Sequence, residues 1–377
     1  MLLRHLIFMS WIGLGMSFFG LQAQEESKSN SNEVQTEKTK LTPLIYSLEK
    51  GDELRYQITS EWSQESGGTE SDGDEDKAAD SPSSDHSSAP SSHRLEHMTV
   101  ENWKVIDVDE KGNRTIRITI DDVSVREESE EESNSFEAKD LDDEARKAEL
   151  ARKPGLAVPI AMKGESVTIQ ITPTGTVISV LGGAKIRTRV IDALKSIGID
   201  EKWSKKSVAT LLSDKAFSSR FTRTLALGPK TGDGVAVGQE WSRKFSRSLG
   251  ALGELDEVAR FKLHALDDSS ADLEVRSRME FRPGKDQDRL KGHAVEIEVD
   301  SAETSGGAEV FGTAIFDIQR GCLKRRRTEL VMTTTFFSKM GRVRHREVVR
   351  SRESRKIELT HFQKAGSEPS VGEPEKK

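Results

Sequence analysis

Three aspartates stand at the ends of apolar, strand-like stretches: Asp107 after Val105-Ile106, Asp267 after Ala265-Leu266, and Asp317 after Ile315-Phe316. Scattered carboxylates of this kind can supply the general acid and base of a hydrolase once a fold gathers them. No nucleophile is spaced to accompany them. Ser47-Leu48-Glu49-Lys50 and Lys230-Thr231-Gly232 match the outer motifs of penicillin-recognising enzymes. The serine should open a helix, yet here it runs into Gly51-Asp52 and a strand pattern. Lys-Thr-Gly should lie on a core strand, yet here it sits among Pro229, Asp233 and Gly234. Both matches read as coincidence.

Metal chemistry fares no better. Asp72, Asp74 and Asp76 have the alternate spacing of a calcium loop, but Lys77 replaces the sixth-position glycine and Ser83 stands at the twelfth. His86, His93, His97, His264, His293, His345 and His361 show no paired ligand spacing. Cys322 is the chain's single cysteine and follows Gly321 with no histidine partner nearby, so it reads as a small apolar strand residue. The sequence therefore assigns no catalytic, cofactor-binding or metal residue and calls for no cofactor.

Charge is distributed unevenly. Acidic runs such as Ser71-Asp72-Gly73-Asp74-Glu75-Asp76 and Glu127-Glu128-Ser129-Glu130-Glu131-Glu132 precede residue 147. The C-terminal part carries Arg320, Lys324, Arg325, Arg326, Arg327, Arg342, Arg344, Arg346, Arg350, Arg352, Arg355 and Lys356. One reading is a basic sheet face that meets an anionic envelope component or the chain's own acidic loops. The other is solvated outward residues on amphipathic strands, with Val331, Val343, Val348 and Ile357 inward. A net charge of -7 argues against a dedicated nucleic-acid binder. Trp62, Trp103, Trp203 and Trp241 read as core anchors.

The elements that must position these residues are mostly strands. Leu54 to Thr59 alternates apolar and polar, as does Thr115 to Ile120 after the turn at Asp109-Glu110-Lys111-Gly112-Asn113. A second hairpin runs from Val167 through Thr172-Pro173-Thr174-Gly175 to Val180. One-sided alternation predicts antiparallel sheet covered on one face. Between 184 and 227 the period changes. Ile186, Val190, Ile191, Leu194 and Ile197 fall at helical spacing before Gly198, and two shorter helices follow around Trp203–Leu212 and Ala216–Leu225. At the start, Arg4-His5, an apolar run from Leu6 to Leu21 and a small residue at Ala23 predict a secretory signal peptide with cleavage near Ala23. That run is short for a hydrocarbon core of about 30 Å, so no transmembrane span is expected after cleavage.

The strand-rich halves echo one another. Gly51-Asp52 before a strand has a counterpart in Gly238-Gln239-Glu240-Trp241, the hairpin through Gly112 in Phe261–Val275, and the hairpin through Gly175 in Thr313–Thr335. This order predicts a duplicated β-module with a period far longer than that of solenoids. The pattern resembles a domain-of-unknown-function family of secreted bacterial β-rich proteins. The resemblance is carried by Gly51-Asp52 with Tyr56, Val105 to Gly112, Met162-Lys163-Gly164 through Gly175-Thr176-Val177, and Gly238 with Trp241. It implies no catalytic residues.

The expected fold is α+β, mainly antiparallel β, with two similar modules of curved-sheet or half-barrel type joined by a short helical segment. The expected organisation is a signal peptide (1–23), a disordered linker (24–41) and a first β-module (42–183) with acidic disordered insertions near 64–94 and 127–147. A helical connector (184–227), a second β-module (228–364) and a disordered tail (365–377) follow. The expected role is that of an exported, non-enzymatic envelope or binding protein whose curved sheet holds an apolar or lipid-like ligand. The alternatives are an exported hydrolase using Asp107, Asp267 and Asp317, and an interaction scaffold using the acidic insertions and the basic sheet face.

Overall fold

A computed structural model describes residues 41–66, 70–72, 91–248, 253–283, 295–298, 309–340 and 343–366. The expected signal peptide, most of the expected linker and tail, and the bulk of the first acidic insertion lie outside these residues.

Alternating apolar side chains along the chain produce one antiparallel sheet. The first meander comprises β1 (Glu53–Ser66), β3 (Ser91–Val108), β4 (Arg114–Ser129), β6 (Ser166–Ile171) and β7 (Val177–Leu181). The second comprises β8 (Glu240–Ser248), β9 (Gly253–Leu266), β10 (Ser270–Pro283), β12 (Glu309–Asp317) and β13 (Cys322–Met340). A last long strand, β14 (Val343–Gln363), pairs with both β13 and β1. The order is therefore β7-β6-β4-β3-β1-β14-β13-β12-β10-β9-β8, and the two meanders share a single open, curved sheet. Short strands β2 (Glu70–Asp72), β5 (Ser133–Glu137) and β11 (Val295–Glu298) pair at the side with β14, β4 and β13. The fold is α+β and mainly antiparallel β, as the alternation implies.

The sheet is open between β7 and β8, and helices fill the gap. Helices α3 (Gly183–Ser196), α4 (Glu201–Leu211) and α5 (Asp214–Leu225) follow β7. Gly198 just past α3 takes φ +88°, the left-handed turn expected of a helix-ending glycine. The Asp200 and Ser213 side chains cap α4 and α5 by accepting from the backbone N–H groups of Trp203 and Ala216. Helix α5 joins the two sheet edges. Thr222 Oγ1 accepts from the Val177 N–H of β7 at 3.0 Å. Trp241 Nε1 of β8 donates to the Leu227 carbonyl at 2.8 Å. Arg243 of β8 reaches across to the Gly228 carbonyl (3.1 Å) and Thr176 Oγ1 (2.7 Å).

Residues 41–49 form a strap across the turn end of the sheet. Thr42 bridges Val235, the Tyr46 N–H donates to the Pro173 carbonyl, and the Ser47 N–H donates to the Gly321 carbonyl. Leu44, Tyr46 and Leu48 point into the core. The strap passes so close to the second meander that a Cβ on Gly321 would meet Ser47 Oγ at 1.9 Å, and Gly321 has φ +60°. Only glycine satisfies both conditions.

Two expectations need correction, and two helices lie beyond any expectation. Residues 127–147 are folded: β4 continues to Ser129, β5 pairs back on it, and a 3-10 turn (138–142) leads into α1 (Glu144–Arg152). The Phe136 ring is fully buried beneath Arg146, whose guanidinium lies 4.4 Å from its centroid, and this contact orders the acidic segment. Helix α1 and its continuation α2 (Pro154–Ile160) carry no sequence expectation. Helix α2 is buried from Gly155 to Ile160, which hides the periodicity of an amphipathic helix. Finally, the inward residues of β13 are not those expected. A register shift in the β12–β13 pairing places Leu323 opposite Phe316 but Arg325 opposite Ile315. Beyond it Arg326 and Leu330 face inward, and Val331 is 48% exposed. On β14 Ile357 is inward as expected, together with Glu353 and Ser351.

Candidate functional site

The inner face of the curved sheet, partly covered by α5, concentrates the buried polar chemistry of the molecule. Its lower part is apolar. Tyr56, Trp103 and Phe221 pack edge to face, Trp241 stacks on Phe261, and Phe316 meets Tyr46 edge-on. Burying one such ring contributes about 1.5–3 kcal/mol. The Tyr56 hydroxyl donates to the Leu323 carbonyl at 2.9 Å across the centre of the sheet.

Above this layer lies a stratum of charges. Glu101, 1% exposed, accepts from Arg220 of α5 on one oxygen and from Trp103 Nε1 on the other. Arg223 of α5 pairs with buried Glu257 of β9 at 2.8 Å. Arg326 of β13 donates to the carbonyls of Arg223 and Thr224, near the C-terminal end of α5. A cation at that end also complements the helix dipole. Arg355 of β14 lies opposite Ser60 and Thr328 in the same stratum. Burial, then the neighbouring charge of Arg220, lowers Arg355 to about 9. Burial and the charge of Arg223 bring Arg326 down to about 10. Both remain cations at neutral pH. His97 of β3 sits between Arg220 and Arg355. Burial first, and these two cations second, hold it neutral with a pKa of about 3.

The upper part of the inner face is less complete. Ser277 and Ser351 are 6% and 5% exposed, and neither hydroxyl has a hydrogen-bond partner. His97 Nε2 is likewise buried without one. Met279, two residues from Ser277, forms a separate small apolar cluster with Val310 and Leu330, and Met332, opposite Ser351, packs against it. At the rim, between β1, β3 and β4, a polar groove of about 460 Å³ is lined by His93, Arg94, Ser92, Glu128, Glu130 and Ser133. His93 Nε2 lies 3.2 Å from Glu127, which also takes an ion pair from Lys153. Burial pushes the Glu127 carboxyl up, but the hydrogen bonds from His93 and Lys153 outweigh it and hold the group below the ordinary carboxylate range.

The three aspartates do not form an acid–base site. Asp107 lies on the surface, 3.7 Å from Lys50. Asp267 folds back on Ser269 and Ser270 in the β9–β10 turn. Asp317 caps the Arg320 N–H at the end of β12. Each carboxylate is engaged by its own turn or neighbour. Among the described residues no three His, Cys, Asp or Glu side chains are grouped to hold a metal. Ser47 lies on the strap, and Lys230-Thr231-Gly232 lies in the loop before β8. Asp72 is in β2, whereas Asp74, Asp76, His86 and His293 lie outside the described residues. Cys322 is fully buried on β13, and burial, then Asp317, pushes its thiol up to about 12. Trp62 and Trp103 are core residues, while Trp203 and Trp241 pack partly buried against the core.

Of this stratum the sequence singled out Arg326 and Arg355, as part of a basic sheet face, and His97; Arg220, Arg223, Glu101 and Glu257 were not among its candidates. Arg220 and Glu101 are 119 residues apart, so no local spacing announces them. One available signal was the break in alternation at Thr99–Glu101 of β3, a polar pair where apolar residues should face inward.

Residues 111–310, more than half of the chain, match a known family. The chain belongs to DUF6263, a family of unknown function. No curated protein matches it. Among solved structures, this DUF6263 chain is similar to "Lipid-protein interactions in lipovitellin" at 8% identity and a TM-score of 0.40, covering 86% of this chain. The match takes in 26% of the lipovitellin chain, so the DUF6263 chain spans about a quarter of that protein's length. It is also similar to "TodX monoaromatic hydrocarbon channel deltaS2 mutant" at 7% identity and a TM-score of 0.25, covering 83% of this chain and 91% of that one. Among the described residues no helix is long and apolar enough to cross a membrane.

Proposed function

We propose that this DUF6263 protein is an exported, non-enzymatic binding protein that holds an apolar or lipid-like ligand on the inner face of its curved sheet. One observation carries the reading: the upper inner face buries Ser277 Oγ and Ser351 Oγ without hydrogen-bond partners near the small apolar cluster of Met279, Val310 and Leu330, with Met332 opposite Ser351 packed against that cluster. A buried donor or acceptor without a partner costs about 1–3 kcal/mol. A wall that tolerates several such groups next to apolar surface suits an occupant supplying both kinds of contact. The separation of Asp107, Asp267 and Asp317 leaves the hydrolytic alternative without a constellation.

The test is solvent extraction of protein purified without detergent, followed by mass spectrometry. One apolar or amphiphilic species at near-stoichiometric amount is the expected result. A clean protein that also fails to take up a fluorescent fatty-acid probe overturns the reading. Export rests on the basic, apolar and small-residue pattern through Ala23, and N-terminal sequencing of protein from the cell envelope checks it. A sequence beginning at Gln24 is expected.

A further inference from the structure

We infer that the outward face of β9, β10, β12 and β13 docks on the surface of an anionic lipid bilayer. This face lies opposite the inner one, so the inference goes beyond the binding reading above and does not depend on it.

The arrangement of exposed side chains is the first argument. Arg260, Arg276, Phe311 and Glu329 form one row across β9, β10, β12 and β13. Val258, Arg278, Glu309 and Val331 form the next row, and Arg352 of β14 follows them. Phe311 is 49% exposed, Val331 48% and Val258 38%, on strands whose other side packs into the core. Phe311 and Val331 are diagonal neighbours, and Val258 stands on the far side of Arg276 and Arg278. The apolar tips are therefore interleaved with arginines rather than gathered into one patch. An interface for another protein instead concentrates its apolar side chains in a packed, desolvated centre.

Charge is the second argument, because the two halves of the outward face treat their cations differently. On the first meander Arg55 pairs with Asp121, Arg94 with Glu61, Lys104 with Glu53 and Arg126 with Glu128, with Arg117 as the exception. On the second half Arg276 and Arg352 pair with Glu274 and Glu329. Arg260, Arg278 and Arg327 are exposed and, among the described residues, make no ion pair. Glu309 is the one carboxylate of the two rows that likewise makes none. An exposed guanidinium presents a planar fork of donors that matches phosphate oxygens bidentately. The surface potential of an anionic leaflet attracts such residues within a Debye length of about 8 Å at physiological salt. Apolar side chains between them enter the boundary of head groups and acyl chains. A soluble polyanion would answer the arginines and leave Phe311, Val258 and Val331 in water. A zwitterionic bilayer would take up the apolar tips and leave the arginines without a counter-charge.

The test is co-sedimentation of the full protein, as isolated from its host, with two kinds of vesicle. One is an equal mixture of phosphatidylglycerol and phosphatidylcholine, and the other is phosphatidylcholine alone. Binding to the anionic vesicles is expected to be at least about tenfold tighter. Arg260→Gln combined with Arg278→Gln should weaken it at least about tenfold, and Phe311→Ser at least about threefold. Arg55→Gln combined with Lys104→Gln removes the same charge from the first meander and should change binding by less than about twofold. The comparison of vesicles on the unaltered protein stands whether or not the variants fold. Equal binding to both vesicles overturns the inference. Equal weakening by the two double variants also overturns it, since net charge rather than this face would then be responsible. Soluble polyphosphate bound as tightly as the anionic vesicles, with Phe311→Ser unaffected, overturns the bilayer as the partner. None of these outcomes bears on the extraction test of the inner face.

Discussion

The lower and upper parts of the inner face are built from the same strands with the same alternation, yet they close differently. Below, the Tyr56 hydroxyl, the Trp103 and Trp241 indoles, and Glu101 all find partners within the protein, with the Tyr46 hydroxyl as the exception. Above, Ser277 Oγ on β10 and Ser351 Oγ on β14 are buried without one, as is His97 Nε2 on β3. The lower part is stapled by α5 and the strap; the upper part, among the described residues, leaves buried hydroxyls unanswered. Stability and the proposed ligand binding thus occupy successive stretches of one surface.

Four measurements can break or sharpen this contrast. The largest effect is expected from Glu101→Ala, which strands Arg220 and the Trp103 indole in a buried site. Breaking a buried pair in this way costs about 3–5 kcal/mol, read as a lowered urea midpoint. A loss below about 1 kcal/mol would place the charged stratum on the functional side of the divide. Next comes Gly321→Ala, which forces a Cβ into Ser47 and a side chain into the left-handed region. A cost of about 1–3 kcal/mol is expected, with earlier proteolysis of the strap as a second readout.

The third concerns pH. His97 has its folded pKa depressed to about 3, so the unfolded chain binds its proton first on acidification. The stabilising contribution is full above the ordinary imidazole value near 6.5 and is lost as pH falls from there toward about 3. The slope from this one group is at most about 1.4 kcal/mol per pH unit, and His97→Gln should flatten the profile between pH 6 and about 4. An unchanged profile would remove His97 from the buried stratum. The smallest effect is expected from Ser351→Ala. Deleting a buried hydroxyl that has no partner lifts a desolvation cost, so stability should be unchanged or gain up to about 1 kcal/mol. A large loss would mean that the upper face is closed after all.

Much of the scaffold was legible in the sequence. Alternation from Leu54 to Thr59 and from Thr115 to Ile120 marks β1 and β4, and the Ile186–Ile197 spacing before Gly198 marks α3. These signals are local, and the chain's own period sets them. Features that depend on distant partners were not legible. A one-residue slip between β12 and β13 turns Arg326 inward and Val331 outward, and no pattern on β13 alone reveals it. The acidic 127–147 segment looks solvated until Phe136 is seen to be buried under Arg146. The site itself joins Glu101 to Arg220, and Arg326 to Arg223 at 103 residues' separation.

Pairing of β1 with β14 has a further consequence for how the chain comes to rest. The Ala365 N–H donates to Asp52 Oδ1 across 313 residues, and the middle of the sheet is made by the earliest and latest strands described. Contacts of such separation form slowly, because a long loop must close first. Until β14 arrives, each meander presents a long raw edge, at β1 and at β13, the kind of edge that recruits foreign strands. A chain cut short before residue 343 would therefore be a candidate for edge-to-edge aggregation as well as a weakened protein.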